Sequence, residues 1–303
     1  MDLSIITISR NMGMLSSLLK SIANSKHNLN LEVLCAWNGK ENIKKNISLS
    51  YGFPIKIHYL KQYHFSSNNN ILAEKANGRV LLFLNDDIVL VKDCLQNAWK
   101  AFQYPDVGIV GANLRYPNGR IQHAGVYFSD DGTPFHQYKN KLDYRDQKLS
   151  ITKSVPAVTG AFILIGKEEF LKIKFDESFR IAGKDIALCL KYRSLINKEI
   201  VYVATAKAIH YENATRRLTR ERLNPKEDLN LIKKLSKVSK SSKINQRYPK
   251  IRIVTEQSGW ILHRMSSEIQ KNIKNVKINE VWPDADIHYY FNYGYYQRRH
   301  QME

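Results

Sequence analysis

Cysteine, acidic charge and long apolar runs are all scarce in this chain of 303 residues. The three cysteines, Cys35, Cys94 and Cys189, stand far apart, and none forms a CxxC pair. That spacing leaves no disulfide or zinc framework, and the apolar stretches around them predict buried thiols in a reducing compartment. No stretch approaches the ~20 apolar residues that a membrane helix requires. The opening run Leu3-Ser4-Ile5-Ile6-Thr7-Ile8 is too short for a signal peptide and has no basic flank before it. The expectation is a cytoplasmic protein, peripheral at the inner face of the cell membrane.

Acidic residues number 28 against 47 lysines and arginines, a formal charge of +19. Such an excess implies an anionic partner: nucleic acid, an acidic membrane surface or a phosphorylated substrate. Nucleic acid is the poorest fit. The positive charge is concentrated late in the chain, and no helix-turn-helix, zinc or RNP-like motif is present. A hydrophobic content of 43%, with aromatic residues spread throughout, excludes long disorder and suffices for one large domain with an appendage.

The first half alternates strand and helix signals. Leu3 to Ile8, Leu31 to Ala36, Ile55 to Leu60, Val80 to Leu84 and Val107 to Val110 read as strands. Met12 to Ile22, Asn69 to Asn77 (ended by Gly78) and Leu95 to Phe102 read as helices. The alternation predicts an α/β fold with a mainly parallel central sheet flanked by helices, binding ligands at the carboxyl ends of its strands. The turns Tyr116-Pro117-Asn118-Gly119 and Ser129-Asp130-Asp131-Gly132 predict an antiparallel region. Val155 to Ile165 is a near-continuous apolar run, Asp185 to Leu195 is helical, and Ile200 to Val203 and Lys207 to Tyr211 are short strands.

Three segments are expected: a main domain over 1–214, a basic and partly helical extension over 215–250, and a small βα segment over 251–303. The extension holds Arg216, Arg217, Arg220, Arg222, Lys226, Lys233, Lys234, Lys237, Lys240 and Lys243, with Leu229, Ile232 and Leu235 at helical spacing. It reads either as a membrane-surface helix or as a solvated helix packing its apolar stripe on the domain. In the last segment Ile251 to Val254, Val276 to Val281 and Ile287 to Phe291 are strand candidates, and Trp260 to Ile269 is a helix candidate.

The sharpest chemical feature is Asn85-Asp86-Asp87, where an apolar strand ends in adjacent carboxylates. Two buried like charges are costly unless a cation or a donor network compensates them. A divalent metal bridging a diphosphate would do so, and oxygen ligands suit magnesium or manganese. The alternative is an N-terminal cap for the next helix.

Phe83-Leu84-Asn85-Asp86-Asp87, preceded by Phe65-Ser66, Asn69-Asn70, Ala73 and Ala76-Asn77-Gly78, resembles the Asp-x-Asp region of family 2 glycosyltransferases with the GT-A fold. Ile121-Gln122-His123-Ala124-Gly125-Val126 and Val158-Thr159-Gly160-Ala161 look like that family's core. Phe175-Asp176-Glu177-Ser178-Phe179 followed by Lys184-Asp185-Ile186-Ala187-Leu188-Cys189-Leu190 is similar to the segment carrying its catalytic base, and Ile209-His210-Tyr211-Glu212 to its closing histidine. Each piece alone is weak, but the set runs in order from about Leu3 to Glu212.

The resemblance implies a metal-dependent, inverting transfer of a hexose to a hydroxyl of a growing surface glycan, of O-antigen or capsule type. The donor would be UDP-galactose, UDP-glucose or dTDP-rhamnose, and the cofactor Mn2+ or Mg2+. It implies that Asp87 and His210 hold the metal and that Asp185 is the general base. Asn38, Asn70, Asn85, Asp86 and Trp37 would contact the nucleotide sugar. Read without it, Asp185 is a helix cap and His210 a satisfied structural histidine. Many relatives carry an acidic residue just before Asn38; Trp37 stands there in this chain, placed to stack on a base instead. The residue before the base is usually acidic and here is Lys184, which would hold a phosphate, stabilise Asp185 as an anion, or mark a weakened site. His123 and Gly160 are expected on the acceptor side, with packing an equal reading for His123.

The implied partners are a nucleotide-sugar donor, a lipid-linked or oligosaccharide acceptor and the inner-membrane surface. A catalytically inactive scaffold of a glycan-assembly complex is the competing reading, and nucleic-acid binding a weaker one. Residues Thr255 to Leu262 and Ala285 to Tyr293 resemble the opening of a two-lobed GT-B glycosyltransferase, so a second such domain or protein is a further expected partner.

Overall fold

In the computed structural model, residues 1–40, 51–212, 226–241, 251–255, 261–273, 276–278 and 287–290 are described. The first unit, Met1–Ser242, runs β1 (Leu3–Ser9), α1 (Met12–Ala23), β2 (Leu31–Trp37), β3 (Ile55–Tyr59), α2 (Phe65–Lys75), β4 (Val80–Leu84), β5 (Ile88–Leu90) and α3 (Cys94–Phe102). It continues through β6 (Val107–Arg115), β7 (Ile121–His123), β8 (Val126–Phe128), β9 (Pro134–His136), β10 (Lys153–Ser154), β11 (Phe162–Gly166), α4 (Lys167–Ile173), α5 (Lys184–Ile196), β12 (Glu199–His210) and α6 (Lys226–Ser241).

Successive strand residues point to opposite faces, which divides the core in two. Ile6, Leu34, Leu81 and Phe83 pack with Leu72 of α2, Phe170 of α4 and Leu188 of α5. Ile5, Val33, Leu82 and Leu84 pack with Leu15 and Leu18 of α1 and Leu95 of α3. Each such leucine contributes about 1.5–3 kcal/mol by leaving water. The sheet order is β10-β12-β6-β11-β4-β1-β2-β3, with β5 on β12 and β7 on β6. The β4-β1-β2-β3 run is parallel, whereas β11 enters antiparallel between β4 and β6. The result is a mixed, mostly parallel sheet between helical layers.

Several elements depart from the sequence reading. Helix α2 starts at Phe65 rather than Asn69, because the His64 side chain accepts from the Ser67 amide. Gly78 is not a helix cap. Its amide donates to Ser4 Oγ, and a β carbon there would lie 2.4 Å from the Ser4 nitrogen, so glycine lets the chain pass against β1. The helix has already ended at Ala76, where Glu32 captures the Asn77 amide at 2.7 Å. The two short strands expected near the end of the domain are one strand, β12, with a register shift between Val203 and Lys207. Of the apolar run Val155 to Ile165, only Phe162 onward joins the sheet. The sequence reading missed β5 and α4.

Helix α6 decides between the two readings of the basic extension. Ile232 is 3% exposed and belongs to the core beside α5, with Leu235 packed against it. A β carbon at Gly183 would lie 2.0 Å from Ile232 Cδ1, so the missing side chain is the socket for Ile232. Ser236 Oγ donates to the Gly132 carbonyl, and Lys233 pairs with Asp131 at 2.7 Å. Of the three apolar residues, Ile232 and Leu235 thus pack on the domain, as the second reading has it, and are not free to dip into a membrane. Arg216, Arg217, Arg220, Arg222 and Lys243 lie outside the described residues.

The second unit, Lys243–Glu303, contains β13 (Ile251–Val254), α7 (Ile261–Asn272), β14 (Val276–Ile278) and β15 (Ile287–Tyr290). Its strands are parallel in the order β14-β13-β15. Of the segments with the GT-B resemblance, residues 256–260, 285–286 and 291–293 lie outside the described residues. Among the described residues, no helix is long and apolar enough to cross a membrane. Cys35, Cys94 and Cys189 are free and buried, and burial pushes their thiols up, Cys189 to about 12.

Candidate active site

Strand β4 carries Asn85-Asp86-Asp87 to the carboxyl end of the sheet, beside the end of β1. Ser9, the last residue of β1, donates from Oγ to Asp86 Oδ2 at 2.7 Å. Burial raises the Asp86 carboxyl to about 6. The charge of Asp87 adds to the rise, and the Ser9 hydrogen bond and Arg10 oppose it. The Asn85 amide donates to the Ala161 carbonyl, closing β4 onto the turn before β11. The cap reading of the carboxylate pair fails: α3 begins at Cys94, well past Asp87.

Asp87 meets its partner through strand register. In the β5–β12 pair His210 faces Ile88, next to Asp87, and His210 Nε2 lies 3.0 Å from Asp87 Oδ1. A polar relay behind the ring sets its tautomer. Tyr116 and Lys139 both donate to Glu212. Burial pushes the Glu212 carboxyl up, but hydrogen bonds from Tyr116, Gln122 and Lys139, with the lysine charge, outweigh it and bring it down to about 2. An ionised carboxylate accepts only, so the Gln122 amide turns its NH2 to Glu212 and its oxygen to His210. His210 Nδ1 lies 2.7 Å from that oxygen and must carry the proton. In the neutral ring Nε2 is then a lone pair aimed at Asp87 Oδ1, a buried oxygen that accepts no hydrogen bond. Two facing acceptors call for a cation or a shared proton between them.

This arrangement fits a divalent metal held by one carboxylate and one imidazole. Among the described residues there is no group of three or more His, Cys, Asp or Glu side chains that could hold a metal ion, so any remaining ligands would come from a bound diphosphate or water.

The relay gives a pH prediction. Glu212 has its carboxyl lowered in the folded state, so its stabilisation is present above the ordinary value of 4.5 and is lost as pH falls toward about 2. Between those values, urea unfolding should show stability falling less steeply with acid in Glu212→Gln than in the wild type. Equal slopes would mean that Glu212 is not held as an anion.

Asp185 stands in the first turn of α5, where the helix dipole favours an anion. Its Oδ2 accepts from the Gly160 amide at 2.6 Å and its Oδ1 from the Ile186 amide at 3.0 Å. Gly160 has no side chain to interfere: a β carbon there would lie 3.2 Å from Asp185 Cβ and 3.3 Å from Phe65 Cζ. Each carboxylate oxygen keeps a lone pair for a further donor. Lys184 Nζ donates to the Ile181 carbonyl and sits 4.7 Å from the centre of the Phe65 ring. Asn85, Asp86, Asp87, Lys184, Asp185, His210 and Glu212 all line one cleft, together with Gly160 and Tyr63.

Three residues expected to contact the nucleotide, Trp37, Asn38 and Asn70, are not among those lining this cleft. Trp37 is 2% exposed and packed in the core, with Gly39 tucked against its ring, so it offers no face to a base. Asn38 donates to the Leu60 carbonyl and accepts from Asn68, which ties the ends of β2 and β3 to α2. Asn70 bonds both the amide and the carbonyl of Phe175 and also Glu177, fixing α2 to the segment before α5. His123 is fully buried against His136, Nδ1 to Nδ1 3.0 Å, so its packing role is the one seen. Sequence reasoning gave no role to Ser9, Gln122 or Glu212. Gln122 and Glu212 lie inside the segments 121–126 and 209–212 that carry the family resemblance, whereas Ser9 comes to Asp86 only through the β1–β4 pairing.

Residues 4–173 match the model of the family described as "Glycosyl transferase family 2". The chain is 31% identical over 169 residues to the O-antigen biosynthesis protein RfbC of Myxococcus xanthus; the match covers 54% of this chain and 13% of that protein. The fold is shared with a crystal structure of GalNAc-T7 with UDP, GalNAc and Mn2+, at TM-score 0.56 and 14% identity, covering 69% of this chain and 43% of that one. It is also shared with S. aureus TarS 1-349 in complex with UDP-GlcNAc, at TM-score 0.55 and 16% identity, covering 79% and 66%. With its sheet in that fold and the family segment reaching across more than half of its length, the chain belongs to glycosyl transferase family 2.

Proposed function

We propose that this chain is a metal-assisted, inverting glycosyltransferase that moves a hexose from a nucleoside-diphosphate sugar to a hydroxyl of a growing surface glycan. The observation that carries the reading is the convergence, in one cleft at the carboxyl end of the sheet, of the unsatisfied Asp87–His210 pair and the Asp185 carboxylate. Asp87 and His210 would hold Mn2+ or Mg2+, which when bound would supply positive charge for the departing diphosphate. Asp86, shielded by Ser9, and Asn85 face the donor. Asp185, steadied by the Gly160 and Ile186 amides, takes the proton of the acceptor hydroxyl as its oxygen attacks the anomeric carbon. The bond from that carbon to the diphosphate breaks on the opposite face, so the configuration inverts.

A UDP-hexose, or dTDP-rhamnose, is the proposed donor; the UDP of the GalNAc-T7 structure and the UDP-GlcNAc of the TarS complex support a uridine nucleotide. The name of the Myxococcus relative supports an O-antigen type of acceptor. The charge of +19 supports an acceptor carried on an anionic lipid diphosphate at the inner membrane face.

A thermal-shift panel of UDP, dTDP and GDP sugars, with Mn2+ or chelator, tests the reading. A donor at a hundred times its Kd should stabilise the fold by about 2.7 kcal/mol. For a domain of this size that is a rise in Tm of roughly 5–10 °C, and it should vanish with chelator. No metal-dependent shift with any nucleotide sugar would overturn the proposal.

A further inference from the structure

Helix α6 reaches the site without touching the cleft. Asp228, in its first turn, is 4% exposed, and its carboxylate accepts three consecutive backbone amides. Oδ2 takes the Ile181 amide at 2.7 Å and the Ala182 amide at 2.9 Å, and Oδ1 takes the Arg180 amide at 3.3 Å. The next residue, Gly183, has φ +86 and caps α5, and its carbonyl accepts the Ala187 amide at 2.8 Å. Ile232, one turn along α6 from Asp228, fills the space over Gly183. One helix therefore grips the 180–183 turn at both ends, and Asp185 lies two residues beyond it.

We propose that Asp228 is a positioning residue: through the 180–183 turn it fixes the first turn of α5, and with it the place of the Asp185 carboxylate in the cleft. The inference rests on the reading of Asp185 as the base. Charge-assisted bonds to backbone amides are about twice as strong as neutral ones, so three from one carboxylate hold the turn firmly. Displacement of a reacting group by about 1 Å can cost roughly a hundredfold in rate. The same grip explains why a basic helix carries a buried acid facing the domain.

The test uses the full chain with Asp228→Ala, Asp228→Asn, Asp185→Asn and the exposed control Lys234→Glu. Hydrogen exchange reads the site directly, because the Asp185 carboxylate itself protects the Gly160 and Ile186 amides. Asp228→Ala should speed exchange at 180–182 and also at Gly160 and Ile186, at least about tenfold, while amides in β4 stay protected. Release of UDP from UDP-glucose or UDP-galactose with Mn2+ should lose about tenfold or more in kcat at little-changed donor KM. In an Asp185→Asn background, Asp228→Ala should add no further loss, because both act through one group. Lys234→Glu should behave as wild type. Where Asp228→Ala does not fold, Asp228→Asn reads the same amides, with one oxygen kept for Ile181 and Ala182. Unchanged exchange at Gly160 and Ile186 would overturn the proposal. So would wild-type kcat in Asp228→Ala when Asp185→Asn is inactive. Wild-type kcat in Asp185→Asn would instead overturn the reading of the base.

Discussion

Asp87→Ala should reduce transfer by a hundredfold or more while leaving the chain folded. Loss of a metal contact removes several kcal/mol of transition-state stabilisation, and each ~1.4 kcal/mol is a factor of ten in rate. The fold should survive because Asp87 is held by its backbone: its carbonyl accepts the Tyr211 amide, and β5 stays paired with β12. The side chain accepts no hydrogen bond at Oδ1, so its removal leaves no protein donor orphaned there. The substitution should also abolish the difference that Mn2+ makes to nucleotide binding by calorimetry. A wild-type rate in Asp87→Ala, or in the wild-type protein with excess chelator, would reject metal assistance.

Asp185→Asn should lower kcat by ~10²–10⁴ with donor binding nearly intact. The amide cannot take a proton as the ionised carboxylate does. There is a structural cost as well. Both Asp185 oxygens already accept backbone amides, so the new NH2 must face one of these donors. That clash should cost about 1–3 kcal/mol of stability, and melting measured beside kinetics separates it from the lost proton transfer. The wild-type product should have the anomeric configuration opposite to that of the donor. An NMR spectrum of the product showing retained configuration would reject a single displacement.

The sheet was legible because its strands are short apolar runs cut by clear breakers, and the carboxylates at the end of β4 needed nothing else to be noticed. Residues whose surroundings come from sequence-distant segments were not legible. Trp37 looks like a base platform until Gly39 and the core close around it. Gly78 looks like a helix cap until β1 is seen lying against it. The polar relay behind His210 draws on Tyr116, Gln122, Lys139 and Glu212, which no local pattern groups together. The charge of α6 drew attention to its exposed face, while Asp228 and Ile232, at helical spacing on the other face, were the residues that settled where it lies.

The buried thiols make the chain its own reporter of opening. Cys35 lies in a central strand, Cys94 at the start of α3 and Cys189 in α5, and none is exposed in the folded state. A thiol reacts as its thiolate, and burial keeps all three protonated, so a small alkylating reagent meets a reactive sulfur only when the surrounding segment opens. Mass spectrometry after a short pulse of label then assigns each opening to a place in the fold. Label on Cys189 alone marks loosening around α5, and label on all three marks a first unit, Met1–Ser242, that has come apart as a whole.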